Sequence, residues 1–377
     1  MSRSPSSKLA GKLVRLALTL AIGVAGGVFF HLIGMPAPWL AGAMVAVLIA
    51  CLCGVKVETP KAVTPAVMVL LGLSIGSSVD WETLELMRAW PASLAILAVT
   101  MLLVTVALQI FYRRAYGWDS RTSFFSSVPG ALSNVIAFTI EYRADVLRVT
   151  IVQTVRLVML VVLLPLVITV AGVHGPEPTG IPAPTHSLPE LALVIAAGAA
   201  GGWLFQLIRV PAGSLLGAAV ANIALHLSGY VSGSMPDWLL VPTFLIFGVV
   251  IGCRFSGMTV STVLQSAGAG MKGFLLASVI AVAGALLTSY VVGIPYAETL
   301  LAFAPGGLDA MTILAFALNV DPAYVGAHQV FRFLLMTIAM PLALLMFPKP
   351  DKSSPGRHGT RAEAGAPGDR GPSGDAP

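Results

Sequence analysis

Apolar runs separated by short polar stretches fill the chain. They fall at about 12–33, 37–54, 62–80, 90–112 and 146–171, and again at about 188–208, 212–229, 239–256, 270–292 and 323–347. Each is close to the roughly 20 residues that a helix needs to cross a bilayer. The pattern predicts ten membrane-spanning helices and an all-α polytopic membrane protein. Two further runs, about 120–141 and 297–318, are cut in the middle by Pro129-Gly130 and Pro305-Gly306. Proline removes a backbone donor and glycine relaxes the chain, so each run is expected to form a Pro-Gly-broken or re-entrant segment.

The two sets of runs are copies of one another. Aligning Gly23 to Ala43 with Gly198 to Ala218 at an offset of 175 gives 12 identical pairs out of 21, among them Gly26/Gly201, Gly27/Gly202, Pro36/Pro211 and Gly42/Gly217. Further on the offset is 176, and Gly72/Gly248, Pro129/Pro305, Gly130/Gly306, Asp145/Asp321, Gln153/Gln329 and Arg156/Arg332 coincide. The expected organisation is a cytoplasmic leader at 1–11, repeat 1 at 12–171, an outer linker at 172–187, repeat 2 at 188–347 and a disordered cytoplasmic tail at 348–377. Linker and tail are rich in Pro, Gly and polar residues and poor in large apolar ones. Because the Gly-Gly and Pro36 positions of the first span recur inside the chain, that span is read as retained rather than removed as a signal peptide.

The path of the broken segments sets the topology. If both cross, each repeat holds six spans and the repeats are parallel; if both re-enter and return, each holds about five and the repeats are inverted. Short cytoplasmic loops collect Lys and Arg. Under the re-entrant reading Lys8, Lys12, Arg15, Lys56, Lys61, Arg113, Arg114, Arg121, Arg143, Arg148, Arg209, Arg254 and Lys272 all fall on one side, and Arg88 is nearly alone on the other. That outer side carries Asp80, Glu82, Glu85, Glu177, Glu190, Asp237, Glu298 and Asp321 instead. Glu141 and Asp145 beside Arg143 and Arg148 soften the contrast, yet it favours inverted repeats in a bacterial inner membrane with both termini cytoplasmic.

Composition changes the picture mainly by exclusion. With 56% hydrophobic and 10% charged residues and a mean hydropathy of +0.88, the lipid bilayer is the expected solvent. The formal charge of +5 is spread over short loops, so membrane orientation explains it and nucleic acid is not an expected partner. Cys51, Cys53 and Cys253 form no even outer set and are read as reduced, structural thiols. Glycines such as Gly26 and Gly42 are read as helix-packing positions.

Candidate chemistry sits where the repeats break. Opened backbone at Pro129, Gly130, Pro305 and Gly306, flanked by Ser126, Ser127, Ser133 and Asn134, exposes amides and carbonyls at membrane depth. Asp309 stands in an apolar segment where the other repeat has Ser133; it is either a coupling site for H+ or Na+ or a helix cap. Gln153-x-x-Arg156 and Gln329-x-x-Arg332 place Gln and Arg on one helix face, with each Arg roughly 15 Å into its span. Such guanidiniums suit carboxylate or phosphate, or else serve as structural latches, Arg332 to Asp309 and Arg156 to Glu141. His328 adds a titratable group next to Gln329.

The paired blocks PGALSNVIAFTIEYRADVLRVTIVQTVRLVMLVVLLP and PGGLDAMTILAFALNVDPAYVGAHQVFRFLLMTIAMP, with the Gly-Gly spans ending in Pro36 and Pro211, resemble the AbrB-type duplicated membrane protein family over about residues 12–347. Labels of ammonia monooxygenase and of regulator travel with that resemblance; it implies no residue roles. The oxygenase label needs clustered metal ligands, whereas His31, His174, His186, His226, His328 and His358 are scattered, so no metal, cofactor or catalytic residue is expected. The expected function is secondary transport of a small anionic solute, with Arg156, Arg332, Gln153, Gln329, Ser133, Asn134 and the Pro-Gly backbone binding it and Asp309 and His328 coupling the ion. A regulator of gene expression acting indirectly, without transport of its own, is the alternative. Expected partners are the solute or ion, lipid and, as an option, a second copy in a homodimer.

Overall fold

A computed structural model of the protein describes residues 5–60, 62–79, 81, 85, 88, 90–129, 132–170, 185–208, 210, 212–256, 260–306, 308–318 and 320–344. Among them the first half of the chain forms α1 (Pro5–Leu32), α2 (Pro38–Leu52), α3 (Val63–Ser77), α4 (Trp90–Tyr116), α5 (Ser120–Ser127), α6 (Leu132–Glu141) and α7 (Val146–Val170). The second half forms α8 (Leu188–Leu207), α9 (Gly213–Leu227), α10 (Asp237–Gly252), α11 (Val260–Val292), α12 (Tyr296–Phe303), α13 (Leu308–Ala317) and α14 (Pro322–Leu344). A short 3-10 turn, Cys253–Phe255, follows α10. No strand occurs among the described residues, apart from an isolated bridge between Thr185 and Ser234. The expected tail and most of the expected linker lie outside the described residues, and α1 begins at Pro5, within the expected leader.

Among the described residues seven helices are long and apolar enough to cross a membrane: Lys12–Leu32, Trp90–Tyr116, Val146–Val167, Leu188–Leu207, Asp237–Phe255, Ser266–Val292 and Pro322–Met340. The remaining three of the ten expected runs also form helices, but shorter ones: α2, α3 and α9 have only 15 residues each. At 1.5 Å per residue they reach about 22 Å, short of the roughly 30 Å hydrocarbon core. These three short helices pack inside the bundle, α2 between α1 and α10 and α9 between α8 and α3. By contrast α1, α4, α8 and α11 turn large side chains such as Phe29, Leu102, Trp203 and Leu275 outward, as lipid-facing helices do.

Backbone sterics start the short helices. Ala37 and Ala212 both adopt the left-handed conformation, with φ of 50° and 54°, an arrangement that costs about 1–2 kcal/mol for a residue with a Cβ. Each sits immediately before a short interior helix, α2 or α9. The same non-glycine strain at matching positions in both halves is held in place by the packing around it.

Glycine lets these helices touch backbone to backbone. A Cβ on Gly26 would run into the Gly42 carbonyl of α2, and one on Gly201 into the Gly217 carbonyl of α9. Between the halves, Gly72 of α3 abuts the Leu215 carbonyl of α9, while Gly248 of α10 abuts the Leu40 carbonyl of α2. These contacts are reciprocal: each partner's counterpart meets the other's counterpart. α4 packs on α11 and α3 touches α10, so equivalent helices also meet one another.

Gly72→Ala and Gly248→Ala are therefore each expected to destabilise by about 1–3 kcal/mol through overpacking. Gly268 of α11 has open space around it, and Gly268→Ala is expected to be neutral or to stabilise by about 0.5–1 kcal/mol. Thermal unfolding of the three purified variants in detergent checks the order.

Candidate functional site

Both broken segments break where the pre-proline rule places the break. Val128 and Ala304 take extended backbone, ψ 122° and 130°, because the following ring excludes the helical region for the residue before it. α5 therefore stops at Ser127 and α12 at Phe303, and helix resumes at Leu132 and Leu308. Asp119 fixes the other end of α5, its carboxylate accepting from the Arg121 and Thr122 amides at 3.1 Å.

The first broken segment doubles back. Arg121 at the start of α5 donates to the Tyr142 carbonyl just past α6 at 3.2 Å, and the Asp145 amide donates to Thr122 Oγ1 at 3.0 Å. Phe125 and Tyr142 rings lie 6.2 Å apart. Entry and exit thus share one end of the bundle, which settles what the sequence left open for this segment. In the second half the counterparts of Thr122 and Asp145 are Glu298 and Asp321, and their carboxyl groups likewise lie within Coulombic range of each other.

At each break the helix that follows supplies a Gln and an Arg. Gln153 Nε2 donates to the Phe125 and Val128 carbonyls, both at 2.9 Å. Gln329 Nε2 donates to the Leu301 and Ala302 carbonyls at 3.0 and 3.2 Å. The arginines then differ. Arg156 Nη2 donates to Gln153 Oε1, its own partner on α7. Arg332 instead turns to the broken segment, donating through Nη1 to the Ala304 carbonyl at 2.5 Å and through Nη2 to the Gly306 carbonyl.

All four side chains are buried, Arg156 at 6% exposure and Arg332 at 3%. Arg156 and Arg332 lie close enough for their like charges to interact, and Arg156 is also within Coulombic range of the Tyr112 phenol. Neither forms an ion pair among the described residues; Glu141, the expected latch partner of Arg156, is exposed. The ion pairs seen are peripheral, Arg15–Glu58 at 3.6 Å and Arg148–Asp145 at 3.2 Å. Burying a guanidinium costs on the order of several kcal/mol. Each hydrogen bond that it donates offsets roughly 1.5–3 kcal/mol. Arg332, with two carbonyls, is nearly compensated, whereas Arg156 has one bond and leaves Nη1 without a protein partner. Ser126 Oγ and Gln329 Oε1 are buried and unpartnered as well.

His328 is tied at both ring nitrogens. Nδ1 donates to the Tyr324 carbonyl at 2.8 Å and Nε2 lies 2.6 Å from Ser93 Oγ, with Trp90 edge-on at 5.9 Å. Since the same hydroxyl also reaches the Trp90 carbonyl at 3.0 Å, it either donates to a neutral ring or accepts from a charged one. Nothing in the linear sequence marks Ser93, Trp90 or Tyr112, because each is brought in by packing from α4. Ser133, Asn134 and Asp309 lie in the first turns of α6 and α13 with side chains outside the described residues, and Gly130 is outside them altogether. Pro129 and Pro305 are buried at the breaks. Among the described residues no three His, Cys, Asp or Glu side chains are grouped to hold a metal ion, and all three cysteines are free.

Two expectations follow from the electrostatics. Arg156→Met removes a poorly compensated buried charge and is expected to leave Tm unchanged or raise it, whereas Arg332→Met abandons two buried carbonyls and lowers Tm by several degrees; thermal unfolding distinguishes them. Glu298, outside the seven spans, has its carboxyl pushed from 4.5 up to about 7 by burial and then by Asp321. Its value is raised on folding, so the stability it contributes is full below about pH 4.5 and is lost as pH climbs through 7. Thermal midpoints are thus expected to fall between pH 5 and 8, with Glu298→Gln flattening that slope.

Comparison with known proteins places the chain in a family. A family model described as "Transition state regulatory protein AbrB" matches residues 39–347. An Escherichia coli (strain K12) protein named "Putative regulator AbrB" is 26% identical over 339 residues, 88% of this chain and 94% of that protein. The Bacillus subtilis (strain 168) protein named "Uncharacterized protein YhjN" is 24% identical over 352 residues, 85% of this chain and 90% of that one. Because that model matches residues 39–347, most of the chain, the chain belongs to the AbrB family.

Proposed function

We propose that the protein is a secondary transporter of a small anionic solute across the bacterial inner membrane. The observation that carries this reading is the pair of buried guanidiniums, Arg156 and Arg332, held within range of each other without a carboxylate partner among the described residues. Two like charges in a low-dielectric interior are unfavourable. An anion between them converts that repulsion into attraction, and planar Arg forks match carboxylate or phosphate oxygens.

The architecture supports the same reading. Broken segments at the level of charged groups are a recurrent way of building a solute site at the bilayer midplane. Reciprocal contacts such as Gly72 with Leu215 and Gly248 with Leu40 are what a twofold relation between two repeats produces. With the short apolar helices α2, α3 and α9 taken as crossings beside the seven longer ones, each half holds five helices and one doubled-back segment; on that count the axis lies in the membrane plane, the repeats are inverted, and both termini are cytoplasmic. Exchange of conformation between inverted halves then gives outward-open and inward-open states of similar energy. Asp309 and His328 are assigned the coupling of H+ or Na+, and Ser133, Asn134 and the backbone at Pro129, Gly130, Pro305 and Gly306 contribute to the binding region.

The E. coli relative's name carries the word regulator. In this reading a regulatory effect is indirect, arising from the solute moved; a regulator without flux would keep its phenotype when the arginines are lost. The experiment is solute-evoked current from proteoliposomes on a solid-supported membrane, using pulses of small mono- and dicarboxylates and of phosphate. Arg156→Ala and Arg332→Ala are expected to reduce the current at least tenfold, and Asp309→Asn to remove its dependence on the H+ or Na+ gradient. Currents unchanged in all three variants, or absent in the wild type for every anion, reject the proposal.

A further inference from the structure

The two Gln-Arg pairs are in different hydrogen-bonding states, and the difference specifies the ligand. Val128 and Ala304 occupy the same position in the two repeats. The Val128 carbonyl is held by Gln153, at 2.9 Å, and the Ala304 carbonyl by Arg332, at 2.5 Å. One carbonyl thus accepts from the glutamine in the first half and from the arginine in the second. What remains free follows from that choice. In the first half Gln153 Oε1 is occupied by Arg156 and the arginine's Nη1 is left over, a donor. In the second half Arg332 has abandoned its glutamine, and Gln329 Oε1 is left over, an acceptor.

The orientation of the Gln329 amide is not arbitrary. Its nitrogen faces two carbonyls, which only a donor can do, so its oxygen must point the other way. Gln329 lies three residues before Arg332, on the same face of α14, and Arg332 is within Coulombic range of Arg156. Gln329 Oε1 and Ser126 Oγ are fully buried. A simple anion answers Arg156 but meets the Gln329 oxygen with another lone pair, leaving a buried acceptor unpaired.

Resting on the anion reading above, we propose that the site selects small anions that carry their own O–H or N–H donor beside the charged group. An α-hydroxy or α-amino carboxylate has this chemistry, and so does hydrogen phosphate. In such a ligand the charged oxygens take the free guanidinium nitrogen and the donor takes the Gln329 oxygen, with Ser126 able to serve either. Propionate and sulfate, which lack a donor at neutral pH, are rejected relative to lactate and phosphate.

Calorimetric titration of the full chain in lipid nanodiscs tests this with two matched pairs, lactate against propionate and phosphate against sulfate. The donor-bearing member of at least one pair is expected to bind about 10- to 100-fold more tightly, and which pair shows it tells carboxylate from phosphate. Gln329→Met, of similar shape and without the acceptor, is expected to bring the two members of that pair to within about threefold. Equal affinities within both pairs in the wild type overturn the inference while leaving an anion site in place, as does a preference that survives in folded Gln329→Met. If that variant does not fold, the wild-type pairs decide alone. Failure of all four anions to bind, with Arg156→Met indistinguishable from wild type, instead overturns the anion reading on which the inference rests.

Discussion

Carbonyl groups opened by proline inside an apolar bundle must find donors, and the rest of this structure is arranged around that requirement. Pro129 and Pro305 stop α5 and α12 far from water, and an unpaired peptide group there costs several kcal/mol. The donors come from the eighth and eleventh residues of the following long helix: Gln153 on α7, with Arg156 bonded to it, and Gln329 and Arg332 on α14. A glutamine alone would close the break without adding charge. The arginine adds a positive charge that forms no ion pair among the described residues, and the proposed anion site rests on that charge.

Close packing makes the repair possible. Glycines at Gly26, Gly42, Gly72 and their counterparts let α1, α2, α3 and α8, α9, α10 approach backbone to backbone. The short helices α2, α3 and α9 then fit inside the bundle, while α1, α4, α8 and α11 meet the lipid. Equivalent carbonyls, those of Val128 and Ala304, are satisfied by glutamine in one half and by arginine in the other. The two halves display one arrangement each.

Much of the fold was legible in the chain because helix and break are local properties. Apolar run length gave the long helices, and Pro-Gly gave the breaks within a residue or two. Run length failed for α2, α3 and α9, where hydropathy continues beyond the helix ends into turns such as those at Gly54 and Gly229, with positive φ. Of the candidate site, Gln153, Arg156, Gln329 and Arg332 stood out because charged and amide groups are costly at that depth. Ser93, Trp90 and Tyr112 did not stand out, since a serine or an aromatic on an apolar helix is unremarkable until packing sets it against His328 or Arg156.

The sequence by itself determined that the chain is an apolar, all-helical membrane protein with one broken segment per half and a Gln-Arg pair behind each break. Those facts follow from composition, periodicity and the covalent limits of proline, none of which needs a partner. Only the tertiary structure decided that the first segment returns to its own end, that both glutamines and Arg332 reach the opened carbonyls while Arg156 turns to Gln153, and that the two pairs thus bond differently. Such choices are competitions between hydrogen bonds of nearly equal strength across 25–28 residues of chain, and only the packed neighbourhood of each carbonyl breaks the tie.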